Sequence, residues 1–130
     1  MPGSTMSSLP PSVRADLEKL QELDTQLQQL LLKKQQYEAE LKDIDRAISE
    51  IEKLTPDAKL YKAVGTFLIS VNKDQALQDL KDRKELLDLH VKTLAKQEQM
   101  LRKQMSDIET RVNSLMQGGS VGAGAAPGGG

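Results

Sequence analysis

Two heptad ladders of equal length face each other across one short break in this chain. The first climbs Val13, Asp16, Leu20, Leu23, Leu27, Leu30, Lys34, Tyr37, Leu41, Ile44, Ile48 and Ile51. The second climbs Leu77, Leu80, Lys84, Leu87, Val91, Leu94, Glu98, Leu101, Met105, Ile108, Val112 and Leu115. Each alternates steps of three and four without a slip, and ten of its twelve rungs are apolar. That spacing lays one apolar seam along a helix with the period of a left-handed coiled coil. A fold about Val64 brings the rungs together in pairs: Ile51 with Leu77, Leu27 with Leu101, Val13 with Leu115. The fold class that follows is mainly α, a long antiparallel two-helix coiled coil with a distinct element at its bend.

Composition narrows the alternatives. Only 2% of the 130 residues are aromatic, namely Tyr37, Tyr61 and Phe67, so a large globular core is not expected and long helices are. The net charge of −1 gives no strong attraction to nucleic acid or to an anionic membrane surface. No cysteine is present, which removes disulfides, thiolate nucleophiles and cysteine-bound zinc together. The opening MPGSTMSSLPPS lacks the basic and apolar runs of a signal peptide, and no stretch approaches a membrane span. A cytoplasmic protein without a membrane partner is expected.

Residues 1–11 are rich in Pro, Ser and Gly and read as disordered. The coiled-coil hairpin is expected over 12–117, with Ser12 as the N-cap of the first helix. That helix runs to about Leu54 and stops at Thr55-Pro56-Asp57. Its forty-odd residues would make an arm on the order of 60 Å long. Across about 59–71, the alternation of Leu60, Lys62 and Val64 against Tyr61 and Ala63, then of Phe67, Ile69 and Val71 against Leu68 and Ser70, predicts two short strands turning near Gly65. Asn72 or Asp74 caps the second helix, and Gly118-Gly119 ends it. The glycine-rich 118–130 reads as a flexible tail.

The strand pair cannot satisfy itself. A lone two-stranded hairpin is marginal in water, and this one carries apolar side chains on both faces. Leu60, Val64, Phe67, Ile69 and Val71 lie on one face, Tyr61 and Leu68 on the other, with Gly65 at the turn. Open edges beside such faces invite another chain. Hairpins of several subunits joining edge to edge in a barrel or sandwich would close them; folding over the coiled-coil base is the other solution.

At the far end, Leu9, Val13, Leu17 and Leu20 lie near Ile108, Val112, Leu115 and Met116. Two readings stand side by side there. Frayed apolar side chains at an arm tip suit capture of non-native chains, with Met adding adaptability. The same residues also suit an ordinary seam end.

Four seam layers are not apolar on both sides: Asp16 with Val112, Lys34 with Leu94, Leu30 with Glu98, and Ile44 with Lys84. Lys34 and Glu98 occupy adjacent layers, where they either pair or reach out to water. His90, the sole histidine, sits beside the seam as a solvated position. Leu31, Leu32, Leu86 and Leu89 lie off the seam and read as scattered exposed apolar residues rather than the lining of an assembly. The carboxylates are spread over helix faces beside Lys and Arg, and no phosphate-binding loop is present. No enzyme activity, cofactor or metal is expected.

The segment LTPDAKLYKAVGTFLISVNKDQA, from Leu54 to Ala76, resembles the bend of prefoldin beta-type subunits, closest in pattern to archaeal ones. The matching positions are Tyr61, Lys62, Val64, Gly65, Leu68, Ile69, Val71 and Lys73. The resemblance in architecture covers about residues 9–117, and the glycine-rich tail departs from it. It implies a hetero-hexamer of two alpha-type and four beta-type subunits. The hairpins would form its β-barrel body, and the coiled coils would hang from that body. The arm tips would bind unfolded proteins without ATP and pass them to a group II chaperonin. Leu60 to Val71 would then be the assembly element and the tip residues the client-binding element. Arg14, Lys19, Glu109 and Arg111 would be candidates for the chaperonin contact. The competing function is a coiled-coil scaffold or tether dimer without chaperone activity.

Overall fold

A computed structural model of the chain describes the backbone of residues 8–129 and the side chains of residues 8–117. Its elements are α1 (Pro11–Glu52), β1 (Leu60–Val64), β2 (Phe67–Val71) and α2 (Lys73–Gly129). They group into two compact units, Met1–Leu31 with Lys96–Gly130, and Leu32–Ala95.

In the first unit the buried side chains are Val13, Leu23 and Leu27 of α1 and Ile108 of α2. In the second they are Ile44 and Leu87. All six are rungs of the ladders. The other rungs are half-buried except Leu115, which is exposed. The contacts Tyr37–His90 and Glu40–Arg83 fall in reversed order along α1 and α2, as antiparallel helices require. The stability of such a pair comes from seam packing rather than from helix propensity. Leu87 is fully buried, so Leu87→Ala is expected to cost about 2–5 kcal/mol. Urea unfolding followed by circular dichroism measures that loss.

The helix ends differ in detail from the sequence expectation. The Arg14 amide donates to the Pro10 carbonyl at 3.0 Å, so Pro10 holds the cap position and Pro11 the first helical one. Ser12 therefore lies inside α1 and caps nothing. The physical reason is that proline's fixed φ and missing donor suit the first helical residue. At the other end, the amides of Lys53 and Leu54 bond back to the carbonyls of Glu50 and Ile51, closing one tight turn before Pro56.

The choice between Asn72 and Asp74 falls to Asn72. Its side-chain oxygen accepts the Gln75 amide at 2.7 Å, an N-cap bond to the third helical residue. α2 is bounded at Gly129, so Gly118-Gly119 lies inside it and not at its end. Residues 1–7, part of the expected disordered N-terminus, lie outside the described residues, as do the side chains of the expected tail 118–130.

β1 and β2 pair antiparallel in the register Leu60 with Val71, Tyr61 with Ser70, Lys62 with Ile69, Ala63 with Leu68 and Val64 with Phe67. Gly65 and Thr66 form the two-residue turn. Gly65 has φ +61° and Thr66 is not in the positive region, the pattern of a type II′ hairpin. A Cβ on Gly65 would meet nothing within 4 Å, so glycine is required there by backbone conformation and not by space.

Candidate functional site

The register sorts the hairpin into two faces. Leu60, Lys62, Val64, Phe67, Ile69 and Val71 share one, and Tyr61, Ala63, Leu68 and Ser70 share the other. Only Leu60 and Val71, where the strands meet the helices, are half-buried; the other eight strand residues are exposed. Phe67 is 73% exposed, Leu68 71% and Tyr61 61%. Each strand has only the other as a partner, so each keeps one open edge. Covering a side chain such as Phe67 or Leu68 is worth about 1.5–3 kcal/mol. The hairpin does not fold over its base, which removes one of the two solutions the sequence left open.

Two lysines make ties at the base of this hairpin, one from a strand to a helix and one between the two helix ends. Lys62 Nζ on β1 lies 3.3 Å from Asp79 Oδ2 on α2. Lys73 Nζ donates to the Leu54 carbonyl at 2.8 Å and to the Glu52 carbonyl at 3.1 Å.

The structure gathers the predicted tip residues in the first unit, with unequal exposure. Val13 is 1% exposed and Ile108 is buried, so both serve the seam. Leu9, Leu17, Leu20 and Val112 are half-buried. Leu115 at 44% and Met116 at 56% are the exposed apolar members.

Charged side chains there are mostly engaged. Arg111 donates to both carboxylate oxygens of Asp16, at 2.7 and 2.9 Å. Asp16 sits in the seam opposite Val112, and this bidentate bond satisfies it without burying it unpaired. The Arg111 guanidinium, chiefly through its hydrogen bond, holds the Asp16 carboxyl below the usual carboxylate range. Lys19 lies 3.4 Å from Glu22. Arg14 Nε is buried with no hydrogen-bond partner among the described residues.

A depressed carboxylate pKa gives stability that is present above the ordinary carboxylate range and lost as pH falls through the lowered value. The midpoint of urea unfolding is expected to be lower in Asp16→Asn than in the wild-type chain at about pH 7, and the difference to shrink as pH falls below the ordinary carboxylate range. Paired unfolding curves above and below that range check this.

Two further polar rungs, Lys84 and Glu98, also reach partners beside the seam. Lys84, opposite Ile44, lies 2.7 Å from Asp45, whose hydrogen bond raises the lysine pKa. Glu98 takes Arg102 one turn along at 2.9 Å. Off the seam, Arg83 binds Glu40 with two bonds, at 2.8 and 3.2 Å, and its hydrogen bond lowers the Glu40 pKa. His90 is exposed as expected, but it also stacks on Tyr37 at 5.4 Å, a contact that spacing alone did not reveal. Leu32, Leu86 and Leu89 are exposed and Leu31 half-buried. Among the described residues no helix is long and apolar enough to cross a membrane.

Comparison with known proteins agrees with this architecture. A family model described as a prefoldin subunit matches residues 14–119. The chain is 54% identical over 118 residues to the prefoldin beta subunit of Caldivirga maquilingensis, covering 88% of this chain and 98% of that one. It is 54% identical over 125 residues to the beta subunit of Pyrobaculum calidifontis, covering 96% and 100% respectively. The crystal structure of the prefoldin beta subunit from Thermococcus strain KS-1 superposes with a TM-score of 0.78 at 34% identity, over 83% of this chain and 95% of that one. With a family match over most of its length and relatives more than half identical across nearly all of it, the chain belongs to the prefoldin subunit family, among its beta subunits.

Proposed function

We propose that this chain is one subunit type of an ATP-independent holdase. Its hairpin joins those of alpha-type subunits and of further copies of itself in a β-barrel body, two alpha and four beta. The observation that carries this reading is the hairpin itself, with apolar side chains exposed on both faces and both edges open. A simple tether dimer covers one face or one edge and leaves the rest in water. Closure into a barrel removes the edges altogether.

The ends of α1 and α2 in the first unit supply the client contact. Leu115 and Met116 offer exposed apolar surface, and the half-buried Leu9, Leu17, Leu20 and Val112 join them as the end frays. Val13 and Ile108 become available only with deeper opening of the seam. Clients held there pass to a group II chaperonin in the cytoplasm. The complex needs no catalytic group and no cofactor, because capture of apolar surface is its whole task.

Native mass spectrometry tests the assembly. The chain mixed with an archaeal alpha-type prefoldin subunit is expected to give a complex of two alpha subunits and four copies of this chain. A stable monomer that ignores the alpha-type subunit contradicts the proposal.

A further inference from the structure

The two lysine contacts at the base of the hairpin have charge placements that the helices alone do not explain. Lys73 is the first residue of α2, where a cation faces the positive end of its own helix dipole. Its neighbour Asp74 is the residue that suits that end. Meanwhile α1 has no basic residue in its last turn, although its final carbonyls carry the negative end of the dipole. Lys73 supplies that missing cation from the other helix, bonding the carbonyls of Glu52 and Leu54. Lys53, the nearest lysine in sequence, is turned to Glu50 instead.

Lys62 is the complement on the strand side. It stands in the middle of β1 between Tyr61 and Ala63, and reaches Asp79 on α2. Both partners are partly exposed, and an exposed ion pair contributes little to stability. What such a pair does supply is direction. Lys73 fastens the end of α1 to the start of α2, and Lys62 fastens β1 to α2. A two-stranded hairpin held only by its two connections would swing on them; with the helix ends it leaves from fixed to each other by Lys73 and β1 tied to α2 by Lys62, it presents its edges in a single orientation.

We infer that Lys73 and Lys62 are positioning residues for assembly, holding the hairpin in the orientation in which it meets neighbouring hairpins. The inference rests on the proposed role of the hairpin as assembly element. Pre-orientation lowers the ordering cost of association without adding a contact to the interface. The folded chain therefore keeps its helices and strands when a clamp is removed, and loses affinity for its partners.

The test titrates the full chain with an archaeal alpha-type prefoldin subunit and measures complex formation by native mass spectrometry. Circular dichroism runs alongside as a check of helix content. Lys73→Met is expected to weaken assembly about tenfold with helix content unchanged, and Lys73→Arg, which keeps the cation, to restore it. Lys62→Glu is expected to weaken assembly, and Lys62→Glu combined with Asp79→Lys to recover most of the loss. A purely structural lysine would instead lower the urea-unfolding midpoint of the isolated chain, which is expected to stay unchanged in Lys62→Glu.

Should Lys73→Met lower helix content, the Lys62 and Asp79 pair carries the test alone. Phe67→Asp separates this inference from the reading beneath it. If Phe67→Asp abolishes assembly while the clamp variants assemble like the wild type, the clamp is overturned and the assembly role stands. If Phe67→Asp assembles normally, both are overturned, because there is then no hairpin interface for the clamp to set.

Discussion

Replacing Phe67 and Leu68 together with Asp is expected to abolish assembly while leaving the helices intact. The two side chains occupy opposite faces of the hairpin, at 73% and 71% exposure, so most of their surface is left uncovered by the described residues. Their loss removes no packing from the seam, where Val13, Leu23, Leu27, Ile44, Leu87 and Ile108 lie. In a closed body each would contribute about 1.5–3 kcal/mol by burial. Asp adds the cost of desolvating a charge in the same place. The sum exceeds about 4 kcal/mol, which raises the dissociation constant by roughly 1000-fold or more. Sedimentation of the variant with an alpha-type subunit checks this: separate components are expected, with helical circular dichroism equal to that of the wild type.

The second large effect belongs to the other unit. Leu115→Ser with Met116→Ser is expected to leave assembly unchanged and to weaken binding of non-native chains by about tenfold or more per tip, taking half of full burial for each partly exposed side chain. If several tips hold one client, the effect on the complex is expected to be larger than on a single arm. Fluorescence anisotropy of a labelled, reduced and unfolded protein titrated with the assembled complex measures it. The paired control is Val13→Ala, which is expected to lower thermal stability instead, since Val13 is 1% exposed and belongs to the seam.

The contrast between Val13 and Leu115 shows where a sequence reading ends. Both are rungs, and the heptad pattern paired them across one layer. Yet one is buried and the other 44% exposed. Periodicity reports which side of a helix faces its neighbour; it says little about how completely a given layer is covered near a chain end.

The bulk of the fold was legible because it obeys two simple periods. Steps of three and four marked every residue that the structure buries, and alternation from Leu60 to Val71 matched the strand register around Gly65. What escaped the pattern is the reach of long side chains. Asp16 looked like a defect opposite Val112, whereas its partner is Arg111, one residue off the ladder. Lys84 finds Asp45 in the same way, and His90 finds Tyr37. A charge inside an apolar ladder with an opposite charge beside the facing rung is the signal that would have found the first two.

Lys73 carried a different signal. A lysine at the first position of a helix is at the wrong end of that helix's dipole, and so points to a second structure that wants the charge. Reading it only as part of a matching motif missed the carbonyls of Glu52 and Leu54 that it holds. The cap at Pro10 escaped for a local reason: two successive prolines offer two starts, and the hydroxyl of Ser12 drew the reading two residues too far along.

A chain that assembles through its hairpin and grips clients with the ends of its helices is expected to hold non-native protein without nucleotide. Light scattering of a denatured protein diluted into buffer without ATP tests it most directly. The assembled complex of this chain with an alpha-type subunit is expected to suppress aggregation at near-stoichiometric ratio, and the same complex carrying Leu115→Ser and Met116→Ser to suppress it far less. A complex of full mass that leaves the scattering curve of the client unchanged would contradict the account.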